Sequence, residues 1–467
     1  MIRRFCLYGF LKNQRYFEPF IVLAFLEKGL TFLDIGLLVG FREISTLVLE
    51  IPSGAMADVF GRRRSMILSF ISYIISFVLF AVAQAMGLLM VAMLFFAVGD
   101  AFRTGTHKAM IFEWLRQEDR LGERTRVYGF TRSWSKIGSA VSSLAAGALV
   151  MISGSFTMVF WLSVVPYLLN LLNFLGYPKT LEAETRKKAD FAAAINLTRR
   201  AMSEAFGRPR SMSGNLSRHA PRLRGLFLES MLLEGAFKVT KDYLQPVLQA
   251  LALGLSFLWT SQFLGGNFSD DQRAALVIGL VFFVYFLLMG FSSRNSHRLA
   301  DRVGGEESMI SLMWWLNLLV FALMGLALKV GLVWLAVLGF ILLGMIQNAF
   351  RPAQISRFDR ESSPEMGATI LSIESQSKSL AAAVMAPLLG WTVDAGVSEV
   401  VGSSQAPTNV EGFWPVAALG VFVSILALVY RSRTSRTRFK SDSLLNGLSN
   451  KSTGSDVTKG VRKDSES

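Results

Sequence analysis

The chain has a single cysteine, Cys6, which excludes an intramolecular disulfide, and three histidines with no cysteine cluster near them, which leaves nothing spaced to hold a metal. It contains no G-x-x-x-x-G-K-[ST] segment to cradle phosphates, so nucleotide-driven work within this chain is not indicated. Charge is missing from long stretches: 35 residues from Ser65 to Gly99, 42 from Ile137 to Pro178 and 20 from Ala274 to Ser293 carry none. Acids are the scarcer sign, 34 against 48 Lys and Arg. In a soluble protein a formal charge of +14 points to nucleic acid. Here the excess falls in loops and tail between apolar runs, where basic residues hold loops in the cytoplasm. No nucleic-acid partner, metal or cofactor is therefore expected.

What the chain does have is apolar length. At 467 residues, 52% hydrophobic with a mean hydropathy of +0.42, it is too apolar for a soluble two-domain enzyme and reads as a polytopic membrane protein. Spans are predicted at 5–26, 31–52, 65–84, 87–114, 127–152 and 156–176, and again at 224–252, 274–293, 308–328, 331–353, 366–393 and 412–430. All are helices, because in lipid only helices and closed barrels satisfy their own backbone, and runs this long are not barrel strands. The N-terminus carries Arg3 and Arg4 but no small-residue cleavage site, so it reads as a first span rather than a removed signal peptide.

This divides the chain into a six-helix bundle (1–176), a basic linker (177–223), a second six-helix bundle (224–430) and a tail (431–467) expected to be disordered. Residues 177–225 have eleven Lys or Arg against four acids and the tail nine against four, which puts both, with the two termini, in the cytoplasm. The stretch Asp394 to Glu411 has three acids and no Lys or Arg, and is expected to be an outer loop.

The stretch LEIPSGAMADVFGRRRSM, from Leu49 to Met66, joins two apolar runs by a tight hairpin. Gly54 and Gly61 permit crowded or left-handed backbone, and Arg62, Arg63 and Arg64 mark the cytoplasmic side. Gly54, Asp58, Gly61, Arg62 and Arg63 reproduce a Gly-x-x-x-Asp-x-x-Gly-Arg-Arg loop, and on them the chain resembles the major facilitator superfamily. That resemblance implies a twelve-helix transporter with this loop between helices two and three. It also implies that Asp58 acts as a latch on the cytoplasmic start of the eleventh helix, near Ser363, Pro364 and Glu365. Val59 departs from the basic residue usual after that aspartate. The copy in the second half, at Asp301, is degenerate, with Gly305 and Glu306 in place of the arginine pair.

The halves repeat. Tyr16, Glu18 and Pro19 recur as Tyr243, Gln245 and Pro246; Ala57-Asp58 recurs as Ala300-Asp301; Ala101-Phe102-Arg103 as Ala349-Phe350-Arg351; Ser135-Lys136 as Ser377-Lys378. Four matches in one order fit two parallel, pseudo-symmetric halves with a site between them near the midplane.

A charge facing lipid at the centre of a helix costs about 2.5–3.5 kcal/mol, so charges at that depth should mark a cavity or pair with one another. They fall on spans 1, 2, 4, 5, 7, 10 and 11, and not on 3, 6, 9 or 12. The expected substrate-binding candidates are Arg15, Arg103, Arg132, Lys136, Lys238, Arg351 and Lys378. The proton-coupling candidates are Glu18, Asp100, Glu234 and Glu374, since a buried carboxyl can titrate near neutrality. Spacings of three and four also allow these groups to be structural pairs. Basic groups at depth outnumber acids, and Lys136 and Lys378 hold equivalent places across the pseudo-two-fold axis, so an anionic substrate bridging them is expected. Trp314, Trp315, Trp391 and Trp414 are expected in an interfacial belt.

The function these observations imply is secondary transport of a small solute by alternating access, proton-coupled, by a monomer in the cell (inner) membrane. A drug or lipid exporter of the same fold is the alternative, and a polytopic membrane enzyme a more distant one.

Overall fold

The computed structural model describes residues 1–104, 106–120, 123–178, 181, 216–255, 268–361, 367–401 and 409–433. The side chains of Asp58, Arg132 and Lys136, the setting of Gly54, and residues 363–365 lie outside the described residues, and with them the inner latch and one partner of the expected bridge. Among the described residues there is no strand. Eight helices are long and apolar enough to cross a membrane: Arg62–Val82, Met86–Gln117, Met158–Leu175, Asp270–Arg294, Glu306–Lys329, Val333–Glu361, Ile370–Ser398 and Glu411–Arg433. Four further helical passages lie among the described residues: residues 2–27, Phe32–Phe60, Arg124–Ser153 and residues 216–254. We number these twelve passages as spans 1–12 in chain order.

Span 1 is not the continuous helix expected over 5–26. Ile2–Lys12 ends at Asn13, whose side chain turns back to donate to the Gly9 carbonyl at 2.8 Å, and Ile21–Glu27 begins only after a run of turns. Span 7 is irregular at the matching place. After Leu216–Ser230 it passes through a π-turn at Met231–Gly235, the short helix Ala236–Thr240 and a 3₁₀ turn at Lys241–Tyr243 before Leu244–Gly254. Irregular backbone at membrane depth is tolerated where it is buried in protein or lines a cavity. Both stretches fall at the repeated Tyr16 and Tyr243.

Packing within each half is by aromatic rings. Phe70, Tyr73, Phe77 and Phe80 are fully buried along span 3, and Phe77 meets Phe17 of span 1 at 5.1 Å and Tyr167 of span 6 at 4.9 Å between ring centroids. Trp314, expected at the interface, is instead wholly buried edge-on to Phe350, because span 9 turns that face toward span 10; Trp315 and Trp391 do face outward.

The halves meet through small residues at one end, the end that the charge pattern leads us to expect on the outer side. A Cβ on Gly36 would lie 2.4 Å from the Ala386 carbonyl oxygen, one on Gly40 2.8 Å from that of Ala383, and one on Gly390 2.2 Å from that of Phe32. Spans 2 and 11 thus touch backbone to backbone. Spans 5 and 8 do the same at Gly147 and Gly279. Span 11 runs on to Val401, past the end of its apolar run, so Asp394 belongs to a helix and not to the outer loop.

Gly390→Ala therefore forces spans 2 and 11 apart at that end. In a Cys6→Ser background, a cysteine at Val39, which lines the cavity between the halves, is expected to react with an impermeant thiol reagent in intact cells several-fold faster in Gly390→Ala than with Gly390 retained. Equal rates would show that the glycine contact does not close the outer side.

Candidate functional site

A cavity of about 250 Å³ lies between the halves, lined by residues of spans 1, 2, 4, 7 and 11 and by none from spans 3, 6, 9 or 12. The irregular stretches of spans 1 and 7 supply Arg15, Glu18, Lys238, Lys241 and Asp242, and spans 2 and 4 supply Arg42, Glu43 and Asp100. Four cations thus face four carboxylates. Phe17, Phe25, Phe32 and Phe96 make the apolar part of the wall. A cation in such a wall holds its charge only beside an acid or a dipole, because transfer from water is costly.

The pairing is uneven. Glu43, 3% exposed, accepts from Arg42 at 2.8 Å on one oxygen and from Lys238 of the other half on the second. Lys238 also reaches Ser379 of span 11 at 3.4 Å, and Lys241 donates to Asp242 at 2.7 Å. Asp100 accepts from Arg103 at 2.7 Å and from Tyr73 at 2.5 Å, and Arg103 donates to Tyr73 at 2.9 Å, closing a three-membered ring of hydrogen bonds. Arg15 and Glu18 are looser, 3.7 Å apart, and the buried Arg15 Nε has no acceptor among the described residues.

Glu234, Arg351, Glu374 and Lys378 form a separate four-charge cluster and are not among the residues lining the cavity. Arg351 donates to Glu234 at 2.9 Å and to both oxygens of Glu374 at 2.5 and 3.1 Å, while Lys378 lies 2.8 Å from Glu234 and 2.9 Å from Glu374. Ser230 donates to the wholly buried Glu374. The cluster ties spans 7, 10 and 11 together. Beyond it along spans 7 and 10, Arg357 and Arg431 share Glu229 and Glu307, joining spans 7, 9, 10 and 12.

In the hairpin, Gly61 takes φ +96° between spans 2 and 3, a conformation costly for any residue with a Cβ. Arg62 opens span 3. Arg63 donates to the Phe174 and Leu175 carbonyls at 3.1 and 2.7 Å, so it caps the C-terminal end of span 6 as well as marking the side. Asp301 is exposed at the end of the short helix Ser296–Val303.

The sequence-expected residues thus separate into cavity (Arg15, Glu18, Asp100, Lys238), cavity border (Arg103), structural cluster (Glu234, Arg351, Glu374, Lys378) and hairpin. Arg42, Glu43, Lys241 and Asp242 are charges at depth in the sequence but not among the binding or proton candidates, and the structure puts all four on the cavity wall. Sequence reasoning also missed Gln245. That side chain of span 7 accepts from Val22 N–H at 2.8 Å and donates to the Glu18 carbonyl at 3.0 Å, holding the broken span 1 in place across the halves.

A family model described as the Major Facilitator Superfamily matches residues 13–386 of this chain, and the chain belongs to that family. Over 107 residues it is 31% identical to an uncharacterized MFS-type transporter, YxaM, of Bacillus subtilis, an alignment that takes in 23% of this chain and 27% of that one. Among solved structures it is similar to a mutant form of the nucleoside transporter NupG, with a TM-score of 0.70 and 15% identity over 92% of this chain and 99% of that one. It is also similar to a bacterial homolog of the human lysosomal transporter Spinster, with a TM-score of 0.64 and 16% identity over 94% and 97%. At such identities the likeness is one of fold. The chain is thus a multi-pass membrane protein of a transporter family.

Arg351→Met leaves Glu234 and Glu374 sharing only Lys378. Breaking a fully buried pair costs about 3–5 kcal/mol. Because Arg351 is 30% exposed and Lys378 remains, a loss of about 1–3 kcal/mol is expected, seen as a lower melting temperature in detergent. Glu374→Gln, which keeps the Ser230 contact, should lose less. Equal melting of Arg351→Met and the unchanged protein would make the cluster a solvated site and not a tie.

Proposed function

We propose that this chain is a secondary active transporter that moves a small polar solute bearing a negative group by alternating access of its two halves, coupled to protons. The observation that carries this reading is the charged cavity between the halves with Arg15 facing it. A guanidinium with an unsatisfied buried N–H is a donor for a carboxylate or phosphate oxygen, and Lys238 stands across the cavity on the other half. The anionic preference expected from Lys136 and Lys378 rests better on Arg15 and Lys238, because both line the cavity whereas Lys378 does not and is engaged by two carboxylates. The phenylalanines of the wall favour a solute that also has an apolar part.

Glu18 is the carboxylate best suited to carry the proton. It faces the cavity and its cation stands off at 3.7 Å, whereas Glu43 is held by two cations and Asp100 by Arg103 and Tyr73. Protonating Glu18 releases Arg15 for the substrate, and binding the substrate on Arg15 releases Glu18 to take the proton. The two events favour each other. The reading includes a monomer in the cell membrane with both termini and the 177–223 linker in the cytoplasm.

The test is flux into vesicles containing the purified protein, over carboxylates, phosphates, sugars, amino acids, lipids and cationic drugs, with and without an imposed pH gradient. Anionic solutes are expected to move and to respond to the gradient. Glu18→Gln should abolish that response while leaving exchange of internal for external substrate, and Arg15→Gln should raise KM at least about tenfold, the loss of one charge-assisted contact. If only cationic drugs or lipids move, the exporter reading replaces this one.

A further inference from the structure

The outer start of span 2 is capped in a way that joins the two halves. Four backbone N–H groups at the start of a helix have no partner within it. Here Thr31 and Asp34 form a capping box: Thr31 N–H donates to Asp34 at 3.0 Å and Asp34 N–H donates to the Thr31 hydroxyl at 3.2 Å. That leaves the N–H groups of Phe32 and Leu33. They donate at 2.9 and 2.8 Å to the two carboxylate oxygens of Asp394, which belongs to span 11 of the other half. Half of the donors are thus satisfied by the span's own sequence and half by the opposite bundle.

The surroundings make this contact hard for water to replace while it is closed. The Phe32 ring is buried, lying 5.7 Å from Tyr243 of span 7 and edge-on at 5.4 Å to Phe413 at the start of span 12. Immediately inside the contact lie the backbone approaches of Gly390 to Phe32 and of Gly36 to Ala386. A carboxylate at the positive end of a helix, screened by rings, is held by both hydrogen bonds and dipole. When the outer ends part, both N–H groups and the carboxylate pass to water together.

We propose that Asp394 is the outer gate residue of the transport cycle, a carboxylate latch that holds spans 2 and 11 together on the outer face and is released whenever the cavity opens outward. It acts by positioning the helices and touches no substrate. Gln245, bonded to span 1, and Gln272 of span 8, which donates to the Met151 carbonyl of span 5 at 2.7 Å, join the same face but carry no charge, so the latch is the tie whose strength the helix dipole sets. The inference rests on the reading that the halves rock.

The experiment uses full-length protein with Cys6→Ser and spin labels on cysteines at Gln84 and Leu332, exposed in outer turns of the two halves, with a second pair at Glu118 and His297 on the cytoplasmic side. Pulsed electron resonance then gives both distance distributions. Asp394→Asn keeps the size and one acceptor, and is expected to raise the population ratio of long to short outer distances about threefold or more while shortening the inner distances. Asp394→Ala should go further. Melting temperature checks that both variants fold; if Ala does not, Asn alone decides. Two outer populations in the unchanged protein with the same ratio in Asp394→Asn would overturn the latch. A single outer distance at every pH and in every nanodisc lipid would overturn the rocking reading itself, and the latch with it.

Discussion

Backbone contact between spans 2 and 11, at the ends that carry Phe32 and Gly390, is the constraint on which the rest of the structure depends. With glycine at 36 and 390 nothing separates the two helices, and that close approach brings Asp394 to the start of span 2, Lys238 to Glu43, and the broken stretch of span 1 to Gln245. A side chain at either glycine would move all three. The cavity exists because these helices close above it while the irregular backbone of spans 1 and 7 leaves space below.

Charge then divides the molecule into parts that hold and parts that change. Glu374 and Glu234 sit between two cations each within the second half, and Glu229 likewise between Arg357 and Arg431. These acids have paid for their burial and serve as ties. Glu18 and Arg15 are left loosely matched at the cavity, and Glu43 is matched across the boundary between halves. In the transport cycle we propose, coupling of solute to proton falls to the pairs that are incomplete or divided, since these gain from a partner brought by the substrate.

Much of the fold was legible because lipid imposes it. Uncharged runs gave most spans to within a few residues, and the order of repeated motifs gave the two halves. The break in span 1 and the π and 3₁₀ turns of span 7 were not legible, since charges such as Arg15 and Glu18 or Lys241 and Asp242 suit a cavity-facing helix as well as a turn, and only the cavity beside them makes the irregular form tolerable. The repeat of Tyr16 and Glu18 as Tyr243 and Gln245 nevertheless marked the place. Asp394 follows the end of the apolar run and so suits a loop in the sequence, whereas span 11 continues as a helix past it, packed against span 2. Neighbouring Trp314 and Trp315 look alike in sequence and both suit an interfacial belt, but a helix turns about 100° per residue, enough to bury Trp314 and expose Trp315. The charge map named Arg15, Glu18, Asp100 and Lys238 but could not separate them from Arg351 and Lys378, because pairing depends on which helices meet.

The central claim is that the outer ends of the halves must part for the solute to move. Cysteines at Met151 and Gln272, which touch across spans 5 and 8, can be joined by a short cleavable thiol cross-linker in protein reconstituted into vesicles. The account predicts that flux of a solute identified in the vesicle screen stops on cross-linking and returns on reduction. Flux that continues at the same rate through the cross-linked protein would contradict it.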